Sequence, residues 1–136
     1  MRGASAAERV FQETASPNVG VFVVWEPILT GNWRQPTTRT LARISDSRVA
    51  QFWDPDHLIA EELRRAGESN ERLSKPSCCV NRGHFWDMAA IFPLEARANG
   101  TILPPVFLNG TVVSQESAIR TKLKEILSSQ SLRGQL

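Results

Sequence analysis

Residues 19–27 form the only long apolar run in the chain, and this run constrains the fold more than any other stretch. They read Val-Gly-Val-Phe-Val-Val-Trp-Glu-Pro, with Pro17 in front and Pro27 at the end. A half-solvated antiparallel strand alternates apolar and polar residues, whereas a parallel strand covered by helices on both faces is apolar throughout. The run therefore predicts a strand buried on both faces, and the other segments must supply its covering helices and its neighbours.

Helical periodicity, capping residues and prolines divide the rest of the chain into further elements. A Ser-Ala-Ala-Glu capping box opens a predicted helix over residues 5–14. Polar, glycine-rich or proline-rich stretches predict loops at residues 28–36, 68–77 and 93–103. The sequence also predicts a short helix at 37–44, strands at 48–53 and 84–92, two strands within 106–113 joined by an Asn109-Gly110 turn, and a helix from Ser114 to about Ser128.

One further helix has the clearest local signals. Asp54 followed by Pro55 is a typical helix start, and Gly67 is a typical end. Glu61 and Arg65 are spaced for an i,i+4 ion pair. The residues expected to face the core are Leu58, Ile59, Leu63 and Ala66.

Length and composition limit the class of protein. A chain of 136 residues with 41% hydrophobic and 22% charged residues is typical of one globular domain, which we expect to span residues 1–129 with a loose tail at 130–136. The net charge of +2 comes from basic residues interleaved with acidic ones, so no nucleic-acid partner is indicated. Neither a membrane-spanning run nor a secretory signal is recognisable, so a cytoplasmic location is the default expectation and no membrane partner is expected.

Two adjacent cysteines, Cys78 and Cys79, are the only thiols. Neighbouring Cα atoms lie about 3.8 Å apart, below the usual range for a disulfide, so a bond between these two would be strained and easily reduced. A structural disulfide is therefore not expected. The interpretations left open are two loop thiols, a redox pair, or a pair that binds soft ions such as arsenic(III) or mercury(II). His84 is the next potential ligand, which is too little for a zinc site, so no metal and no other cofactor is expected.

The Pro-Pro-Val-Phe-Leu-Asn-Gly run at residues 104–110, together with the order of elements, resembles the C-terminal part of the thioredoxin-like fold. Most of the chain is also similar to a group of bacterial thioredoxin-like proteins, through the stretches ending in Trp-Glu-Pro and Asp-Pro at residues 27 and 55 and through the cysteine pair. The resemblance implies an α/β, three-layer sandwich. It also implies that Pro105 is a cis-proline that faces redox cysteines and docks substrate.

The chain departs from that family in one respect that matters for chemistry. The family carries Cys-x-x-Cys, or a selenocysteine version, just before the Arg-Gly-Ala that begins this chain, after an N-terminal strand. Neither is present, so we expect the domain to be incomplete at its N-terminus and Met1 not to be the true start. The vacated position in the sheet would be closed by the last two strands, filled by residues 84–92, or left open to pair with another chain.

The resemblance therefore implies a protein related to thiol-disulfide oxidoreductases, catalytically incomplete as given. Cys78 and Cys79 are the candidate catalytic residues, and a protein disulfide or thiol is the implied substrate. Substrate-binding candidates are Pro104 and Pro105, from the resemblance, and Trp25 and Glu26, because sites in open α/β sheets lie at the carboxyl ends of strands. The alternative is a non-enzymatic module that binds a peptide or a second subunit through the proline cleft or the open sheet edge.

Overall fold

A computed structural model of the chain describes residues 2–27, 34–73, 75–76, 78–81, 83–93, 97–98, 101–102 and 104–133. These residues form a mixed α/β structure. In chain order the elements are α1 (Arg2–Glu13), β1 (Val21–Trp25), α2 (Thr38–Leu41), β2 (Val49–Trp53), α3 (Leu58–Glu68), β3 (Val80–Asn81), β4 (His84–Phe85), β5 (Met88–Ile91), β6 (Arg97–Ala98), β7 (Thr101–Ile102), β8 (Phe107–Gly110) and α4 (Val112–Arg133).

The strands of the described ranges form four separate two-stranded sheets. The pair β1 and β2 is parallel, with Val21 opposite Val49. The pair β5 and β8 is antiparallel, with Ile91 opposite Phe107. Two short antiparallel hairpins, β3 with β4 and β6 with β7, complete the set. The second hairpin lies inside the stretch 93–103 that was predicted to be a loop.

Three layers are stacked around the pair β5 and β8. Val10 of α1, Ile91 of β5 and Ile119 of α4 form a buried cluster on one face, and Phe107 packs against it. Successive side chains of a strand point to opposite faces, so Leu108 lies on the other face. There it is in contact with Gly67 of α3 and is only 5% exposed. The order of layers is therefore α1 and α4, then the strands, then α3.

The strand at residues 19–27 is confirmed as a strand, but the prediction that it is buried on both faces is wrong. Phe22 is 73% exposed. Phe52 of β2 is on the same face, 47% exposed, with its ring centroid 6.2 Å from that of Phe22. A strand that is covered on both faces needs an apolar sequence. An apolar sequence does not by itself place a second helix or sheet over the strand, and here one face remains exposed. Most of the strand is only half-buried.

The helix predicted after Asp54 begins later than expected. Pro55 and Asp56 form a turn, and α3 starts at Leu58. The Asp54 carboxylate nevertheless accepts hydrogen bonds from the backbone N–H groups of Leu58 and Ile59, at 3.1 and 2.7 Å, so it caps the helix from outside. The ion pair of Arg65 with Glu61 is confirmed at 3.3 Å.

The residues of α3 that face the core are only partly those predicted, and Ala66 is confirmed as buried. Leu58 and Ile59 are 65% and 43% exposed, so their predicted place in the core is wrong, whereas Ala60 and Ala66 are buried. Gly67 does not end the helix, which continues through Glu68. Its role is instead to allow the close contact with Leu108.

The hairpin predicted around Asn109 and Gly110 is not formed. Both residues belong to β8, where Gly110 is opposite Met88 of β5. The following valines enter α4, which is capped by Thr111 rather than Ser114, since the Ser114 N–H donates to Thr111 Oγ1 at 3.3 Å. Pairing with the distant strand β5 has overridden the local turn signal.

Two other predicted boundaries also change. The strand predicted at residues 84–92 is divided into β4 and β5 by Asp87, whose φ is 49°. Helix α4 extends through Arg133, so residues 130–133 of the predicted tail are helical; residues 134–136 lie outside the described residues, as do most of residues 28–36. Among the helices described here, none is both long enough and apolar enough to cross a membrane.

Candidate functional site

The two adjacent cysteines are joined in a disulfide, contrary to the expectation from their spacing. Cys79 is 6% exposed and its φ is 72°, in the left-handed region. Its carbonyl accepts a hydrogen bond from the Trp86 N–H at 2.9 Å. The pair thus lies at the open end of the β3 and β4 hairpin.

A second sulfur lies next to the disulfide. A Cβ placed on Gly110 would be 2.9 Å from Cys79 Sγ, 2.8 Å from Met88 Sδ and 2.7 Å from the Asp87 carbonyl oxygen. Both sulfurs therefore lie within 3 Å of one point, and only glycine leaves room for them. We call Cys78, Cys79 and Met88 the sulfur site.

Two helices begin beside the sulfur site. The Asp87 carbonyl accepts a hydrogen bond from the Val112 N–H, the first residue of α4, at 3.1 Å. The Asp87 carboxylate lies against the first turn of α1, where a Cβ on Gly3 would be 2.7 Å from Oδ1. Helix N-termini favour negative charge, so this carboxylate and any thiolate formed nearby are placed in a favourable field.

A cluster of titratable groups lies at the other end of the same hairpin. Glu26, which follows β1, has its Oε2 2.9 Å from His57 Nδ1, and the two side chains are only 11% and 16% exposed. The His57 ring is stacked on that of His84, with centroids 4.3 Å apart and an interplanar angle of 17°. We call Glu26, His57 and His84 the carboxylate-imidazole cluster.

The electrostatics of this cluster are set by burial. Loss of water around Glu26 raises the pKa of its carboxyl group above 4.5, and the hydrogen bond from His57 opposes that change only in part. His84 Nδ1 is buried and has no hydrogen-bond partner among the described residues. His57 has a φ of 58°. A buried carboxyl, a strained histidine and an unpartnered ring nitrogen in one place are features of proton-exchanging sites.

Left-handed backbone at non-glycine residues occurs in and next to these two places. Within the described ranges, the non-glycine residues with positive φ are His57, Cys79 and Asp87. Such conformations cost on the order of 1 kcal/mol or more and are found preferentially at functional sites. The hairpin joins the two places. The cysteine pair directly precedes β3, and His84 of the carboxylate-imidazole cluster lies in β4, where it pairs with Asn81 of β3.

The candidate site residues predicted from the sequence differ in whether the structure places them in a cluster. Glu26 belongs to the carboxylate-imidazole cluster, whereas the Trp25 Nε1–H donates to the Gln51 side chain at 2.9 Å and so has a structural bond. His57 and His84 were missed as a site because they are 27 residues apart in the sequence, so only tertiary contacts bring them together.

The proline pair does not form the expected substrate contact. Among the described residues the cis peptide bond is Gly110–Thr111, so Pro105 is trans. Pro105 is also fully buried, and its carbonyl accepts a hydrogen bond from Asn70 Nδ2 at 3.0 Å. It precedes β8, whereas Cys79 lies beside Gly110 at the far end of that strand. Pro104 and Pro105 therefore do not face the cysteines.

The usual metal ligands do not cluster in the described residues. In the part of the chain that the structure describes, no three His, Cys, Asp or Glu side chains are grouped so that they could hold a metal ion. Comparisons with protein-family models, with curated proteins and with solved structures gave no match. The chemistry of the site therefore has to be argued from its own residues.

Proposed function

We propose that this protein is a thiol-disulfide oxidoreductase whose redox couple is the Cys78–Cys79 pair. The observation that carries the proposal is the position of the disulfide. Two adjacent cysteines are bonded where the hairpin, the β5–β8 pair and the first residue of α4 meet, and Cys79 is held in a left-handed conformation there. A reducible pair at a convergence of elements, next to a helix N-terminus, has the surroundings that stabilise a thiolate.

The different burial of the two cysteines supports different roles for them in the proposed reaction. Cys78 is partly exposed and Cys79 is buried, so Cys78 is the sulfur that an external thiolate reaches. In the reducing direction, the Cys78 thiolate attacks a substrate disulfide and forms a mixed disulfide, and one substrate thiolate leaves and takes a proton. The Cys79 thiolate then attacks Cys78 Sγ, which closes the vicinal disulfide and releases the second substrate thiolate. Two electrons pass to the substrate.

A thioredoxin-like fold is part of the proposal. It is supported by the layer order of α1 and α4, strands and α3, by a parallel pair early in the chain, and by an antiparallel pair that leads into the last helix. The trans, buried Pro105 departs from the family pattern. We therefore propose the family relationship for the framework and a separate, vicinal redox centre for the chemistry.

The proposed substrate is a protein disulfide, and the proposed compartment is the cytoplasm. Cytosolic thiol systems keep most cysteines reduced, so a vicinal pair there would cycle between dithiol and disulfide. Trp86 is 38% exposed and follows β4 beside Cys79, so it offers an aromatic surface to the substrate. The reductant that regenerates the dithiol would be a second thiol protein or a small thiol.

Reduction of insulin disulfides, driven by a dithiol, tests the proposal. We expect thiol-dependent turnover by the parent protein and none by Cys78→Ser. Cys79→Ser should instead accumulate a mixed disulfide with the substrate, because the resolving thiol is missing, and mass spectrometry detects that adduct. Turnover by Cys78→Ser equal to that of the parent would refute the proposal. Equal circular dichroism spectra for the three proteins provide the folding control.

The second candidate function is a module that binds another copy of the chain by strand addition. The observation that favours it is the edge of β1: within the described residues this strand has a hydrogen-bonded neighbour on one side only, and its Phe22 side chain is 73% exposed. Residues 21–25 contain no charge that would discourage edge pairing. Sedimentation analysis tests this: we expect a concentration-dependent dimer that Val23→Pro abolishes, and a monomeric parent would eliminate the idea.

A further inference from the structure

The sulfur site has a donor that thiol-disulfide exchange does not use. Met88 lies on β5 directly opposite Gly110, and its Sδ approaches the same point as Cys79 Sγ, at 2.8 and 2.9 Å from the position of a Gly110 Cβ. A methionine cannot take part in the disulfide exchange. Its thioether is, however, a soft ligand, and so are the two thiolates that appear on reduction.

We propose that the reduced Cys78 and Cys79, together with Met88, bind one monovalent copper ion. The inference rests on the proposed function to the extent that the disulfide must be reducible. Two thiolates and a thioether form a three-sulfur set, and soft sulfur ligands select monovalent copper over hard cations. Because Gly110 has no side chain, no Cβ lies at the point that the two sulfurs approach.

The types of donor present argue against the common alternatives. Zinc sites in proteins are usually completed by four Cys or His ligands, and calcium or magnesium sites by oxygen ligands. Among the residues that the structure describes, no three His, Cys, Asp or Glu side chains are suitably grouped. A thioether is the third donor instead, and monovalent copper accepts it.

The charge of the complex fits its surroundings. Two thiolates and one copper(I) ion carry a net charge of −1. Helix α4 is 22 residues long, and the N–H of its first residue, Val112, donates to the Asp87 carbonyl, so the positive end of the helix lies close to the sulfur site. The carboxylate of Asp87, the residue before Met88, lies against the first turn of α1.

The reaction is balanced without a change in the oxidation state of copper. A phosphine first reduces the disulfide with one water molecule, giving two thiols and a phosphine oxide. Binding then forms two thiolate–copper bonds and one thioether–copper bond, and the two thiol protons pass to the buffer. The metal enters and leaves as copper(I).

The test uses the full chain, reduced with a phosphine and titrated anaerobically with copper(I) against bicinchoninate, a coloured competitor. We expect one ion per chain for the parent protein. Met88→Leu should weaken binding by about tenfold or more, as loss of a metal-site interaction does. Cys79→Ser should abolish stoichiometric binding. Trp86→Phe is the matched control, because it changes an exposed side chain two residues before Met88 without removing a sulfur atom. We expect its affinity for copper(I) to equal that of the parent.

Two measurements keep this inference separate from the redox proposal. Thiol counting before titration reports whether the disulfide has been reduced, and Met88→Leu should show the same two thiols as the parent. The redox function is measured separately, by insulin reduction with the parent protein. X-ray absorption at the copper edge of the parent complex should show three sulfur neighbours. Two neighbours, or unchanged affinity in Met88→Leu, would overturn the copper site while leaving the redox function intact. A disulfide that the phosphine cannot reduce would overturn both.

Discussion

The two longest strand pairs among the described residues, β5–β8 and β1–β2, are held in different ways. The β5–β8 pair is covered on both faces: Val10 and Ile119 lie over Phe107 on one side, and α3 contacts Leu108 on the other. The β1–β2 pair has one face on which phenylalanines are exposed to solvent. Apolar composition makes a strand suitable for burial, but only a covering helix determines whether burial occurs.

Polar contacts hold the β1–β2 pair in place of apolar packing. The Arg48 guanidinium donates to the carbonyl oxygens of Thr14 at 2.6 Å and Phe11 at 2.5 Å, at the end of α1. Gln51 accepts from Trp25 and donates to the Leu41 carbonyl at 3.1 Å. The stability of the β1–β2 pair should therefore depend on these hydrogen bonds and on pH. The stability of the β5–β8 pair should depend on buried side-chain volume.

The largest expected effect is at Leu108, in the covered sheet. Leu108→Ala should lower the free energy of unfolding by about 3 kcal/mol, because truncation removes buried methyl groups and leaves a cavity against α3. Urea denaturation followed by circular dichroism measures the change. Val106→Ala is the control, since Val106 is 36% exposed, and it should stay within about 0.5 kcal/mol of the parent. Equal losses in both variants would contradict the three-layer packing.

Arg48, directly before β2, is the corresponding position for the β1–β2 pair. Arg48→Ala should cost about 2 kcal/mol, because the helix-end carbonyls and the Asp46 carboxylate lose charge-assisted hydrogen bonds. Arg48→Lys should recover only part of this, since an ammonium cannot reproduce the forked geometry. The same denaturation experiment measures both, and full recovery by lysine would show that charge alone is what matters.

Low pH should reduce the contribution of Arg48 to the free energy of unfolding. The hydrogen bonds from Arg48 lower the pKa of Asp46 from 3.8 to about 2. A carboxyl group with a depressed pKa stabilises the fold above the unfolded-state value and loses that contribution as the pH falls through the folded-state value. The difference in stability between the parent and Arg48→Ala should therefore narrow between pH 3.8 and about 2.

The sequence predicts local elements well and long-range choices poorly. Strands β1 and β2 and the Glu61–Arg65 pair follow from the apolar pattern and from spacing. Helix α1 was also predicted, but it begins at Arg2, so the predicted cap at Ser5 is wrong. The Asn109-Gly110 signal failed because Gly110 is required for close contact with sulfur and not for a turn. Such a contact depends on residues 79 and 88, and no local pattern encodes it.

The candidate site shows the same division. Cys78, Cys79 and Glu26 were found from residue type and from the end of a strand, because those signals are local. The histidine partners of Glu26 were not found, because His57 and His84 meet only when α3 and the hairpin pack together. Gly110 by itself does not point to Met88 in the sequence, because glycine is equally typical of tight turns, bulges and helix ends.

A smaller and pH-dependent effect is expected at Glu26. Burial raises its pKa above 4.5, so the parent loses stability as the pH rises through the folded-state value. Glu26→Gln keeps an acceptor for His57 and cannot ionise. The variant should therefore match the parent below pH 4.5 and become the more stable protein above it. Melting temperatures between pH 4 and pH 8 measure this, and Glu71→Gln, at an exposed carboxylate, is the control. A gap that widens toward acid would contradict the sign.

The smallest effect is expected on the exposed face of β1. Phe22 is 73% exposed, so Phe22→Ser removes little buried area and should change the free energy of unfolding by about 0.5 kcal/mol or less. Leu108→Ala, in the covered sheet, provides the scale for comparison under identical conditions. A loss comparable to that of Leu108→Ala would mean that Phe22 is covered in solution. If that loss also grew with protein concentration, the cover would be a second copy of the chain, because only an association between chains depends on concentration.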